Sequence, residues 1–270
     1  MLSLIISSYN QDYFNQLSLN IKDTIGENFD YEIIQMWNPG AMSICEAYNM
    51  GAEKAKYENL LFIHEDVKFH TIEWGELLKK YYKLDSLGVF GLAGSKRKFH
   101  LPYGYYSGLL DDCFSFLFHS GSNEMKTDRI INFPLQVKVI DGVFLGMKKS
   151  VWKKLRFNES IKGFHFYDID FSLRSTKEFK NYLVNDIKFE HFSKGNFGDK
   201  WIESCLKFNE IVDYSFDSYT PHEKKHIRNF WYKRLVNEKI SFINRFNYCS
   251  KMGINKDTFI NSLKFLFNIK

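Results

Sequence analysis

The stretch Leu60-Leu61-Phe62-Ile63-His64-Glu65-Asp66-Val67 restricts the fold more than any other: an apolar run passes directly into an imidazole and two carboxylates. An unbroken apolar run closed by charge reads as a strand covered on both faces, the pattern of a parallel sheet with helices packed on it. In open α/β sheets ligands gather outside the carboxyl ends of such strands. His64, Glu65 and Asp66 therefore stand where chemistry is expected. A strand end that merely meets solvent has the same local pattern, so both readings stand until other segments converge on the spot.

The flanking sequence supplies the rest of an α/β alternation. Ser3-Leu4-Ile5-Ile6-Ser7-Ser8-Tyr9-Asn10 is an apolar strand that breaks into a Ser/Asn turn, and Tyr13 to Ile25 carries helical spacing. A second strand over Tyr31 to Met36 closes at Asn38-Pro39-Gly40. Ser43-Ile44-Cys45-Glu46 fits a capping box, which predicts a helix beginning at Ser43 with its free N–H groups and positive dipole end toward the top of the sheet. A helix over Trp74 to Leu84 follows, then a strand from Gly88 to Ala93 that ends at Gly94-Ser95-Lys96, where Lys96 is a candidate anion contact. Strands over Gln136 to Asp141 and Tyr182 to Phe189, with a short helix from Ser150 to Leu155 between them, complete the series. The class predicted is α/β, with a mostly parallel sheet and helices on both faces.

Two segments depart from the alternation. Periodicity is lost from Lys98 to Pro134, through Tyr103-Gly104-Tyr105-Tyr106 and His119-Ser120-Gly121-Ser122. Long loops in compact domains often bind ligands, so this one is expected to meet substrate, with Tyr103, Tyr105 and Tyr106 as stacking rings. In Gly163 to Arg174, Ile169, Ser172 and Leu173 fall at helical spacing, placing Asp168 near a helix N-terminus and Asp170 four residues before Arg174. The ion pair explains Asp170. A helix dipole favours a carboxylate at Asp168 without requiring one. His191 stands just after the last strand.

Charge and cysteines narrow the setting. Cys45, Cys113, Cys205 and Cys249 form no C-x-x-C pair, which argues against structural zinc or a disulfide framework and suits a reducing cytosol. The first residues lack a basic n-region and no run approaches a membrane span, so a cytoplasmic protein, at most peripheral at the inner face of a membrane, is expected. The formal charge of +5 conceals an asymmetry: His222 to Lys270 holds 11 Lys and Arg against 3 Asp and Glu, a balance of +8 that leaves −3 for residues 1–221. This helical, basic and aromatic tail is expected to pack its rings on the rest of the protein with charges outward, or to touch an acidic membrane face. No nucleic-acid module is present, so no nucleic-acid partner is expected. A homo-oligomer is compatible with the sequence.

Taken in order, these stretches resemble the inverting glycosyltransferases of family 2, and within them a bacterial branch whose metal motif reads His-x-Asp where most members have Asp-x-Asp. The likeness runs over roughly residues 2 to 200. It is carried by Ile5-Ile6-Ser7-Ser8-Tyr9-Asn10, Ala47-Tyr48-Asn49-Met50-Gly51 with Ala55, Phe62-Ile63-His64-Glu65-Asp66-Val67 and Gly91-Leu92-Ala93-Gly94-Ser95. Asp141-Gly142-Val143-Phe144-Leu145-Gly146, Phe164 to Arg174 and His191-Phe192-Ser193-Lys194-Gly195 continue it. The resemblance implies the Rossmann-like GT-A fold over residues 1–215, as the nucleotide-sugar-binding and catalytic domain, with a basic helical extension over 216–270. It implies metal-dependent transfer of a sugar from a nucleotide-sugar, with UDP-sugars favoured, to a hydroxyl of a glycan, glycolipid or glycoprotein in polysaccharide biosynthesis.

For individual residues, the resemblance implies Asp66 and His191 as ligands of Mn²⁺ or Mg²⁺ with His64 beside them, imidazole suiting Mn²⁺ better. Ser8, Tyr9, Asn10 and Asn49 would meet the base, ribose and phosphates, Glu65 the ribose or a bound water, and Asp141 the donor sugar. Asp168 would be the general base. Two other functions fit the same elements. A nucleotidyltransferase would carry a Gly-rich basic loop where Ser7-Ser8-Tyr9-Asn10 stands. A non-catalytic nucleotide- or glycan-binding module would have no need of Asp66, Asp168 and His191 together.

Overall fold

The computed structural model describes residues 1–120, 132–193, 195–211, 213–254, 256 and 258–269. Gly121 and Ser122 of the expected loop, and Lys194 of the family-like stretch, lie outside them. The chain forms two units, Met1–Gly94 with Phe114–Lys194, and Ser95–Cys113 with Gly195–Lys270. The sequence change at residue 216 falls inside the second.

The first unit begins β1 (Leu2–Ser8), α1 (Gln11–Thr24), β2 (Tyr31–Trp37), α2 (Ile44–Lys54), β3 (Asn59–His64), β4 (Val67–Phe69), α3 (Trp74–Tyr81), β5 (Leu87–Gly91) and β6 (Ala93–Ser95). After β7 (Cys113–Ser115) it continues with β8 (Leu117–His119), β9 (Leu135–Val137), β10 (Val139–Ile140), β11 (Phe144–Lys148), α4 (Lys149–Leu155), α5 (Tyr167–Ser175), β12 (Lys180–Leu183) and β13 (Phe189–His191). The main sheet has the order β2-β1-β3-β11-β5-β12-β9. β1, β2, β3, β5 and β12 run one way, while β11 is antiparallel to both its neighbours and β9 antiparallel to β12.

The opening stretch is the centre of this sheet. Leu60, Leu61, Phe62 and Ile63 have no exposed surface, so both faces of β3 are covered, as an uninterrupted apolar strand requires. Leu60 and Phe62 join a core with Ile5, Tyr48, Leu145, Phe157 and Phe171. Each such side chain contributes about 1.5–3 kcal/mol by leaving water. α2 begins where the capping box predicts: Ser43 Oγ accepts the Glu46 N–H, and Glu46 accepts the Ser43 N–H in return. Gly51 lets this helix lie close on β1, since a Cβ there would stand 2.4 Å from Ile5 Cγ2.

Two predicted strands are divided in the structure. Over Gln136 to Asp141, β9 stays in the main sheet while β10 lies beside β6 in a smaller one. Over Tyr182 to Phe189, β12 ends at Leu183, and β13 begins a separate sheet of order β4-β13-β8. An apolar pattern does not show where a strand leaves one sheet for another. The second division positions the site, because β13 pairs antiparallel with β4 and sets His191 opposite Val67. Asp66 is the residue before Val67, so sheet register brings His191 to it.

In the second unit, α6 (Asp199–Asn209), α7 (Pro221–Leu235), α8 (Phe242–Met252) and α9 (Phe259–Phe267) pack around rings. Trp201 stacks on Trp231 at 5.1 Å, and Tyr232, Tyr248 and Phe265 are fully buried. Part of the expected ring burial is therefore met within this unit. Tyr103 is also buried, accepting the Phe99 N–H at 2.9 Å with Lys98 Nζ 3.5 Å from its ring centre, so it offers no stacking face. Tyr105 and Tyr106 are half-buried in the same unit. Among the described residues, no helix is long and apolar enough to cross a membrane.

Candidate active site

His64 closes β3, Asp66 immediately precedes β4, and His191 closes β13. One ligand atom from each lies within 4.8 Å of the others. His191 Nε2 is 3.3 Å from Asp66 Oδ1 and 3.1 Å from Ser193 Oγ. Burial pushes the Asp66 carboxyl up, but the hydrogen bond and charge of His191, followed by His64 and Ser193, outweigh it and hold the group down at about 2. Burial, opposed by the Asp66 charge, lowers His64. An ionised carboxylate beside two imidazoles is a mixed oxygen and nitrogen donor set that fits a divalent cation such as Mn²⁺.

A hydrogen-bond chain continues from this trio. Tyr167 Oη has one proton and donates it to the Gly142 carbonyl at 2.9 Å. It therefore accepts from His64 Nε2, also 2.9 Å away, which fixes the Nε2–H tautomer and leaves Nδ1 as the acceptor of the ring. The Gly142 N–H in turn donates to Asp168 Oδ2 at 2.9 Å, and the His64 N–H donates to Val143 O at 3.4 Å. The turn 141–143 thus ties the end of β3 to the start of α5. It requires glycine: a Cβ on Gly142 would stand 2.1 Å from Tyr167 Oη.

Asp168 lies in the first turn of α5, which Phe166 enters in the left-handed region at φ 67°. Its Oδ1 accepts the Ile169 N–H at 2.9 Å. Burial and then the charge of Asp141 raise its carboxyl to about 7, against the lowering effect of the Ile169 and Gly142 hydrogen bonds. The Asp141 carboxylate is itself fixed by the Val143 N–H at 3.0 Å. A largely buried carboxyl raised to about 7 is suited to taking a proton from a hydroxyl.

The remaining expected contacts divide. Glu65 is buried and accepts the Tyr9 and Asn10 N–H groups at 3.1 Å each, so its carboxylate braces the turn after β1. Asn10 caps α1 by accepting from the Asp12 and Tyr13 N–H groups. Ser8 is buried and its Oγ accepts from Gln35, whereas the Tyr9 ring is exposed at the strand end. Asn49 is buried with all four hydrogen bonds satisfied internally: it donates to Phe157 O and Glu159 and accepts from Trp152 Nε1 and the Phe157 N–H. Nothing of its amide is left for a nucleotide. Asn49→Ala is expected to cost about 2–5 kcal/mol through the buried partners it strands, measured by denaturant unfolding. Lys96 belongs to the second unit, where its N–H donates to Asp112 O.

His64, Glu65, Asp66, Asp141, Asp168 and His191 stand out in the sequence, whereas Tyr167 and Gly142 do not. Both stand next to residues already singled out, and a tyrosine at the first position of a helix carrying a candidate base was an available signal. A ring with a polar tip usually finds a partner when buried.

Residues 3–226 match a family described as glycosyltransferase-like. Among curated proteins, none matches the sequence. Among solved structures, the fold is similar to GalNAc-T7 with UDP, GalNAc and Mn²⁺, at a TM-score of 0.54 and 9% identity over 87% of this chain and 51% of that one. The chain thus spans about half the length of that protein. It is also similar to S. aureus TarS 1–349, at a TM-score of 0.48 and 12% identity over 99% of this chain and 80% of that one. For the complex of TarS 1–349 with UDP the TM-score is 0.48 and the identity 11%, over 99% and 79%. With the family match covering most of its length and a GT-A architecture around the site, the chain belongs to the glycosyltransferase-like family, in its family 2-like group.

Proposed function

We propose that the protein is a metal-dependent inverting glycosyltransferase that moves a sugar from a UDP-sugar to a hydroxyl of a glycan, glycolipid or glycoprotein. The observation that carries this reading is the convergence of His64, Asp66 and His191 at one strand end, joined through Tyr167 and Gly142 to Asp168. The similarity in fold to a protein solved with UDP, GalNAc and Mn²⁺ supports it.

His64, Asp66 and His191 would hold the divalent cation, which when bound neutralises charge on the two phosphates of the leaving nucleotide. Asp168 accepts the proton of the acceptor hydroxyl while that oxygen forms its bond to the anomeric carbon on the face opposite the nucleotide. The bond from the anomeric carbon to the phosphate oxygen breaks, and its electron pair leaves with UDP. The Gly142 N–H keeps Asp168 oriented, and the Asp141 charge raises its basicity. Tyr167 holds His64 in one tautomer, and Glu65 holds the Tyr9–Asn10 turn.

A base raised to about 7 works only when ionised, so transfer should rise with pH through the neutral range and level off above it. Removing the Asp141 charge removes one cause of the raised value, so Asp141→Asn should move this limb to lower pH, whatever it does to the maximal rate. A pH profile of transfer for the two proteins checks both statements. The reading as a whole is tested by incubating a panel of nucleotide-sugars with Mn²⁺ and following nucleotide release and thermal stabilisation. A UDP-sugar should raise the melting temperature and release UDP slowly in water, faster with acceptor. No response to any nucleotide-sugar would rule the reading out.

A further inference from the structure

α8 and α9 each turn one face into the second unit and leave an apolar face outward. Arg245 is buried beneath them and donates to Phe265 O at 2.6 Å and to Glu238 O at 2.7 Å, while Tyr248, Met252 and Phe265 fill the interior. The packing face of the pair is therefore already used. On the other side, Phe242, Ile243 and Phe246 of α8 and Phe259, Ile260 and Phe267 of α9 are exposed, reaching 71% at Ile243 and 70% at Ile260. Spacings of three, four and seven residues place the members within each helix along one stripe. The Phe242 and Phe267 rings lie 6.2 Å apart, which joins the two stripes into one patch.

The surroundings of this patch select its partner. Exposed Lys239, Lys256 and Lys264 come from the same segment, whose balance of +8 exceeds the net charge of the whole chain. A second copy would bring an identical positive face against this one, at a cost in repulsion. An anionic bilayer matches both features: phenyl and isoleucyl side chains enter the headgroup and acyl boundary, while lysines keep their ammonium groups among the phosphates. We propose that the outward face of α8 and α9 docks the protein on an anionic membrane surface, lying in the interface without crossing it.

The test is co-sedimentation of the full chain with vesicles of phosphatidylcholine alone and of phosphatidylcholine mixed with phosphatidylglycerol. The expected result is binding to the mixed vesicles that weakens with added salt and is much poorer on the neutral ones. Phe242→Ser with Phe246→Ser and Phe267→Ser should lower partitioning at least ~10-fold. Lys239→Glu with Lys256→Glu and Lys264→Glu should do likewise, again by at least ~10-fold. If the phenylalanine variant fails to fold by circular dichroism, Ile243→Ser with Ile260→Ser replaces it, because these side chains are the most exposed of the six. Absence of binding, equal binding to both kinds of vesicle, or unchanged binding by the folded variants overturns the proposal. So does a dimer that the apolar substitutions dissolve while vesicle binding is absent.

Discussion

Asp168→Asn is expected to lower the rate of transfer by ~10²–10⁴-fold while leaving nucleotide affinity within a few-fold of wild type. The amide oxygen of asparagine can still accept the Gly142 N–H, so the turn at 141–143 keeps its anchor and the hydrogen-bond chain back to His64 survives. What is lost is the basic lone pair. The residual rate reflects alignment and electrostatic stabilisation of the departing nucleotide, which do not pass through this side chain. Steady-state transfer to an acceptor, paired with calorimetric titration of UDP, separates the two effects. Near-normal turnover in a variant that binds UDP normally would remove Asp168 from the chemistry. Parallel loss of rate and binding would instead make it a structural support of the turn.

The second large effect is expected at Asp66. Asp66→Ala should lower Mn²⁺ affinity by more than the ~10–100-fold that follows loss of an outer-shell partner, because the only carboxylate of the trio is removed. That carboxyl is held at about 2, so it is ionised and ready to ligate a cation throughout the physiological pH range. The substitution also removes the partner of His191 Nε2, 3.3 Å away, yet Ser193 Oγ remains within 3.1 Å of the same nitrogen. The fold should therefore survive. Electron paramagnetic resonance of free Mn²⁺ during titration reports the affinity without any need for substrate, and circular dichroism verifies folding. Equal Mn²⁺ affinity in the two proteins would show that the trio is an ion pair and not a metal seat.

The sequence makes some of this architecture readable, and the reasons differ from residue to residue. β3 and its polar end are legible because a strand covered on both faces needs an unbroken apolar run, and few other structures do. The start of α2 is legible because Ser43 and Glu46 satisfy each other at a spacing that only a capping box uses. The meeting of His191 with Asp66 is not legible from spacing, because it depends on β13 leaving the line of β12 and pairing with β4. Only the family resemblance points to it from sequence. Asn49 illustrates the converse. Its place in a family-like stretch points to the nucleotide, whereas its four internal hydrogen bonds make it a joint between α2 and the segment around Phe157. The basic tail reads as a helical segment packing its rings inward, but composition does not show which rings face out. Phe265 is buried and Phe267, two residues on, is exposed.

As proposed, the end of β3 seats a nucleoside diphosphate in a cation-dependent way. Calorimetric titration of UDP into the wild-type protein, with and without Mn²⁺, tests it most directly. Affinity should increase at least ~10-fold with Mn²⁺, since a hard cation offsets diphosphate charge that the carboxylates around the site would otherwise repel. Equal affinity with and without the metal, or no binding of UDP in either case, would contradict the assignment.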